Sequence, residues 1–169
     1  MITSRYVPFT LIALIGLVAD QATKIWIDRS LKLFQSLPVI DGLFSITYVR
    51  NKGAAFSFLS NASWRLPFFI AVSLVAALVI LVALRRLRDD QKLARFSLAL
   101  IFSGAIGNLI DRVRLGEVID FLDLYWRSHH WPAFNIADSL ICIGVALMAL
   151  DMLREENRAR AGADGAVRS

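Results

Sequence analysis

A chain of 169 residues that is 57% hydrophobic, with a mean hydropathy of +0.57, is too apolar for a soluble domain and points to a polytopic membrane protein. A single cysteine, Cys142, excludes an internal disulfide, and the adjacent His129 and His130 lack metal-ligand spacing and read as a solvated turn. The net charge of +5 sits in clusters beside hydrophobic segments, which argues for membrane topology rather than nucleic-acid binding.

In chain order, the first predicted span covers residues 6–27, about 33 Å as a helix and enough to cross a bilayer. Its start resembles a signal peptide, with Arg5 before an apolar run. Apolar character continues through Ile25, Trp26 and Ile27, which argues for a retained helix. Asp20 and Lys24, at i and i+4, share a face and can pair. Beyond this span, "LFSITYVR" at 43–50 follows an Asp41-Gly42 turn and reads as a strand. The run "AAFSFL" at 54–59 reads as a second strand, so a small outer sheet is expected.

The second span, 66–84, carries no charge. A short loop dense in Arg and Lys follows, from Arg85 to Arg95, and belongs in the cytoplasm by the positive-inside rule. The third span, 93–110, sets Ala99, Ser103 and Gly107 on one stripe, where small residues let helix backbones approach. The segment Glu117 to Trp126 is amphipathic and is expected to lie in the membrane interface. The fourth span, 133–153, starts beside Pro132, a residue tolerated in a first helical turn. Residues 1–155 thus form one membrane domain, and the polar 156–169 tail is expected to be disordered. Four spans put both termini in the cytoplasm. Trp26, Trp64, Trp126 and Trp131 fall at the opposite end, as an interfacial belt.

Polar residues collect at that outer end: Asp20, Lys24, Asn51, Asn108, Asp111, Arg112, Asp120, Asn135 and Asp138. Most have structural readings. Asp20–Lys24 is a local ion pair, and Asp111–Arg112 ends a helix at the headgroups. Asn108 and Asn135 join helices, and Asp123 is solvated. Asp120 and Asp138 have no basic partner at helical spacing, and Asp120 lies inside the apolar "VIDFL". Intramembrane carboxylates are functional by default, and two brought together share a proton, as in aspartic proteases. Three alternatives stay open on the residues alone: a Ser/Lys peptidase using Lys24 with Ser103 or Ser139, a proton-coupled transporter, and a non-catalytic scaffold.

The blocks "DQATK" at 20–24, "NKGAAFSF" at 51–58, "GAIGNLIDR" at 104–112, "VIDF" at 118–121 and "FNIADS" at 134–139 together resemble lipoprotein signal peptidase (signal peptidase II). The resemblance implies an all-α bundle of four transmembrane helices with a small extracytoplasmic β-sheet and an interfacial helix. It implies catalysis by Asp120 and Asp138, supported by Asp20, Lys24, Asn51, Gly104, Asn108, Asp111, Arg112, Asn135 and Ala137. The implied substrate is a diacylglyceryl-modified prolipoprotein, cut just before the lipidated cysteine at the periplasmic face of the bacterial inner membrane. The implied inhibitors are cyclic peptides of the globomycin type. No metal or organic cofactor is expected, and the partners are membrane lipids and the lipidated signal peptide.

Overall fold

The computed structural model describes residues 3–53 and 62–167. Four long helices run through it: α1 (Thr3–Ser30), α2 (Arg65–Arg86), α3 (Lys92–Leu115) and α4 (Ile136–Val167). Each contains a stretch long and apolar enough to cross a membrane. The strands are β1 (Ser36–Ile40), β2 (Phe44–Asn51), β3 (Val118–Trp126) and β4 (His129–His130), antiparallel in the order β1-β2-β3-β4. The sheet follows α1 and precedes α4, so it lies at the end of the bundle where those helices end and begin.

Helix α3 is the central element and packs on the other three. Its small-residue stripe explains why. Ser103 abuts Gly16 of α1, and a methyl on Gly107 would overlap the Asp20 carboxylate. On another face, a methyl on Gly104 would overlap the Ala137 carbonyl of α4. Such contacts bring backbones together and give dispersion energy where lipid offers no hydrophobic gain. Helices α2 and α4 expose Val75, Leu78 and Val79, and Ile143, Val145 and Met152, as lipid-facing surfaces do. A buried cluster of Phe9, Ala13, Ile80, Leu84, Leu98 and Ala99 fills the bundle. A second, of Ile27, Leu31, Tyr48, Ile119 and Phe121, fastens the sheet to the end of α1.

Several expectations change. Residues 118–126, within the segment expected to be amphipathic and interfacial, form strand β3 rather than a helix, and the described residues hold no helix besides the four. Alternating branched and aromatic residues suit a pleated surface, and pairing with β2 satisfies the backbone. The partner of 43–50 in the hairpin is β1, which precedes it, across the turn where Gly42 has φ +76°. The strand expected in "AAFSFL" lies outside the described residues. Helix α3 continues past residue 110 to Leu115, where Gly116 at φ +74° caps it in the left-handed region. Helix α4 is helical to Val167, so residues 156–167 of the tail expected to be disordered continue that helix.

One irregularity in the sheet positions the site. Ile46 pairs with Leu122 and Val49 with Asp120, so β2 spends three residues where β3 spends two. This bulge reverses the alternation of β2. It puts Ile46, Val49 and Asn51 on the face that carries Asp120, and Tyr48 in the cluster at the end of α1.

Candidate active site

Asp120 on β3 and Asp138 in the first turn of α4 line one cavity of about 540 Å³. Its polar wall comprises these two carboxyl groups with Asn51, Asn108 and Arg112; its apolar wall includes Leu124, Trp131, Phe134, Ile141 and Cys142.

Three asparagines hold the carboxyl groups, and each is itself oriented. Asn51 accepts the Gly53 N–H through Oδ1 at 2.9 Å, so its Nδ2 faces Asp120 Oδ2, also at 2.9 Å. Asn135 accepts the Asp138 N–H at 3.0 Å, and its Nδ2 donates to Asp120 Oδ1 at 2.7 Å. Asn108 accepts from Lys24 Nζ at 2.9 Å, and its Nδ2 donates to Asp138 Oδ1 at 2.8 Å. The backbone N–H of Asn135 reaches Asp138 Oδ2 at 3.2 Å. All four carboxyl oxygens therefore accept from a fixed donor.

Below them is a buried ionic network. Lys24 is 1% exposed, and its ammonium spends its donors on Asp20 Oδ2 (3.0 Å), Asp111 Oδ2 (2.9 Å) and Asn108. Asp20 also accepts the Ala137 N–H at 2.8 Å, which ties α1 to the orphan donors opening α4. Asp111 accepts the Ile119 N–H at 3.2 Å, which ties α3 to β3. A buried cation with two carboxylates survives only when every member is bonded, and here each is.

Arg112 stacks over the Phe69 ring at 4.8 Å and donates to the Gly53 carbonyl at 3.3 Å, so it closes the cavity between α3 and the end of β2. Burial pushes the Asp120 carboxyl up to about 7. The neighbouring Asp138 adds to this, while bonds from Asn51 and Asn135 and the charge of Lys24 act against it. A group poised there can hold or release a proton near neutrality.

All eleven residues singled out from sequence converge here. The Asp20–Lys24 pair forms as expected, but Asp111 is buried on Lys24 rather than anchored at headgroups. Asp123 is not solvated: it accepts from Thr47 at 3.2 Å and bonds His130 Nδ1 at 2.9 Å, so His130 does not stand in a free turn either. Sequence reasoning missed Gln21, which bridges Asp20 and Asp111 at 3.1 Å each; its place inside "DQATK" was the available signal. It also missed the Asp28–Tyr48–Arg50 cluster, in which Asp28 lies about twenty residues from the other two.

A family model described as Signal peptidase (SPase) II matches residues 12–154. A lipoprotein signal peptidase of Geobacter metallireducens is 69% identical over 154 residues, covering 91% of this chain and 95% of that protein. One from Geobacter sulfurreducens is 71% identical over 150 residues, covering 89% and 94%. A solved bacterial membrane enzyme, determined by the in meso method at 2.3 Å, superimposes with a TM-score of 0.81 at 33% identity, covering 89% of this chain and 90% of that one. The chain, matched over most of its length, belongs to the signal peptidase II family.

Proposed function

We propose that this protein is an intramembrane aspartic endopeptidase that removes the signal peptide from diacylglyceryl-modified prolipoproteins, cutting just before the lipidated cysteine. Peptidase activity and prolipoprotein substrates follow from the family. The aspartic chemistry rests on one observation: two carboxyl groups share a cavity, and oriented amides hold all four of their oxygens.

One carboxylate takes a proton from water, whose oxygen attacks the scissile carbonyl carbon. The other, as the acid, gives its proton to the carbonyl oxygen, and a neutral gem-diol forms. The first group then protonates the amide nitrogen as the C–N bond breaks. The second recovers its proton from a gem-diol hydroxyl, which restores the starting pair. Arg112, Asn108 and Asn51 line the same cavity and are available to hold substrate carbonyls.

The cavity has a wet side and an oily side, as a lipidated peptide does. The basic Arg85–Arg95 turn would face the cytoplasm, with both termini, and the sheet and dyad the periplasm. The exposed Trp26, Trp64, Trp126 and Trp131 suit the outer interface of the inner membrane. Membrane lipids would surround the bundle, and globomycin-type cyclic peptides would occupy the same cavity.

The test is cleavage of a diacylglyceryl-modified prolipoprotein and its unlipidated twin by wild type, Asp120→Asn and Asp138→Asn, each checked for folding. Cleavage of the lipidated form alone, lost in both variants, is expected. Full activity in either folded variant would end the aspartic reading.

A further inference from the structure

Asn135 immediately precedes α4 and touches both carboxyl groups. Its Oδ1 accepts the Asp138 N–H at 3.0 Å, and its own N–H donates to Asp138 Oδ2 at 3.2 Å. That reciprocal exchange over three residues is a capping box, with Asp138 in the place usually filled by Glu or Gln. The same side chain donates through Nδ2 to Asp120 Oδ1 at 2.7 Å, and at 3.2 Å to Asn108 Oδ1 and the Ile119 carbonyl. With its oxygen committed to the helix, the amide cannot turn, so its donors stay on the Asp120 side.

Building on the aspartic reading above, we propose that Asn135 is the positioning residue that assigns the roles of the pair. Its capping box holds Asp138 as the carboxylate that activates water. Its amide holds Asp120, which carries the shared proton, ready to release it to the substrate carbonyl.

The two carboxyl groups differ in what surrounds them. Asp138 stands in the first turn of a long helix and accepts a backbone N–H that belongs to the cap. Asp120 lies on a strand, 2% exposed, with no helix terminus directed at it by any described bond. The groups that face Asp120 are Asp138 from α4, Lys24 from α1, Arg112 from α3, Asn51 from β2, and Asn135 itself. Lys24 is already committed to Asp20 and Asp111. Burial and the Asp138 charge favour the protonated form of Asp120, and the Asn135 amide opposes them. That opposition keeps the proton from being held too tightly to donate.

Variants of Asn135 separate the two bonds. Asn135→Ser keeps a good helix cap and loses the amide to Asp120. The kcat/KM profile from pH 4 to 9 on lipidated substrate should then show its alkaline limb moved upward by about one unit. The acid limb should stay in place, and kcat should fall about tenfold with KM unchanged. Asn135→Ala also loses the box, and in it kcat should fall further than in Asn135→Ser. If Asn135→Ser does not fold, Asn135→Asp keeps the cap and should shift the alkaline limb upward as well. An alkaline limb unmoved in the folded variant, beside a bell-shaped wild-type profile, would overturn this assignment alone. Wild-type cleavage without a bell would overturn the aspartic reading instead.

Discussion

The ammonium of Lys24 donates to the side-chain oxygen of Asn108 at 2.9 Å and thereby fixes which end of that amide faces the site. The Asn108 NH2 group consequently meets Asp138, two bonds from a lysine that touches neither carboxyl group of the pair. On the aspartic reading, Lys24 would act on catalysis through Asn108, while it ties the fold together through Asp20 and Asp111.

Replacing Lys24 by Met should show both roles. It leaves Asp20 and Asp111 buried without their cation, and breaking a buried pair in this way costs about 3–5 kcal/mol. Thermal unfolding in detergent should record a large drop. A second substitution, Asp111→Asn, should recover part of it. An unchanged midpoint in Lys24→Met would contradict the network.

Asp120→Asn and Asp138→Asn should each reduce cleavage by at least about 10²–10⁴-fold, the range for losing a general acid or base. Neither variant should be destabilised enough to account for that loss. Comparing single-turnover cleavage with unfolding midpoints checks this.

Asp120 also links stability to pH. Its folded pKa is raised from 3.8 to about 7, so the folded state binds its proton more tightly than the unfolded state. The penalty is absent below the unfolded value and grows as pH rises from about 4 to about 7. It levels off, on the order of 4 kcal/mol, above that. Asp120→Asn removes it. The variant should gain stability over wild type at pH 8, and the gain should shrink toward pH 4. A constant difference across that range would be inconsistent with a raised pKa.

Gly104→Ala should damage activity more than its size suggests. The added methyl would overlap the Ala137 carbonyl in the first turn of α4, one residue before Asp138. Overpacking typically costs about 1–3 kcal/mol, and the resulting shift of α4 would displace the Asp138 carboxyl group, which is proposed to be catalytic. Gly42→Ala should leave cleavage unchanged: it meets no atom within 4 Å, although its φ of +76° strains the hairpin turn.

Tyr48→Phe tests the anchor of the sheet. The Tyr48 hydroxyl donates to Asp28 and receives the Arg50 Nε–H at 2.7 Å, which joins the bulged strand to the end of α1. Losing it should cost about 1–2 kcal/mol by thermal unfolding. The larger effect should be on KM, because Asn51 and Gly53 follow directly on the anchored strand.

Four spans, the Asp20–Lys24 pair and the small-residue stripe of α3 were legible in the sequence. Each depends on a local repeat: a run of apolar residues or a three- or four-residue step. The five motif blocks likewise named the residues that converge. The tertiary structure decided how they converge. Glu117–Trp126 reads as an amphipathic interfacial segment, and only pairing with β2 makes most of it a strand. The bulge between Ile46 and Val49, which brings Asn51 to the Asp120 face, has no local signature because it is a mismatch of count between two strands far apart in sequence. Asp111 next to Arg112 suggests a helix end at the headgroups, but a buried cation from another helix outweighs that local preference. Side chains that complete one another across helices, as Lys24, Asn108 and Asp138 do, acquire their roles only when packing fixes the direction in which each amide points.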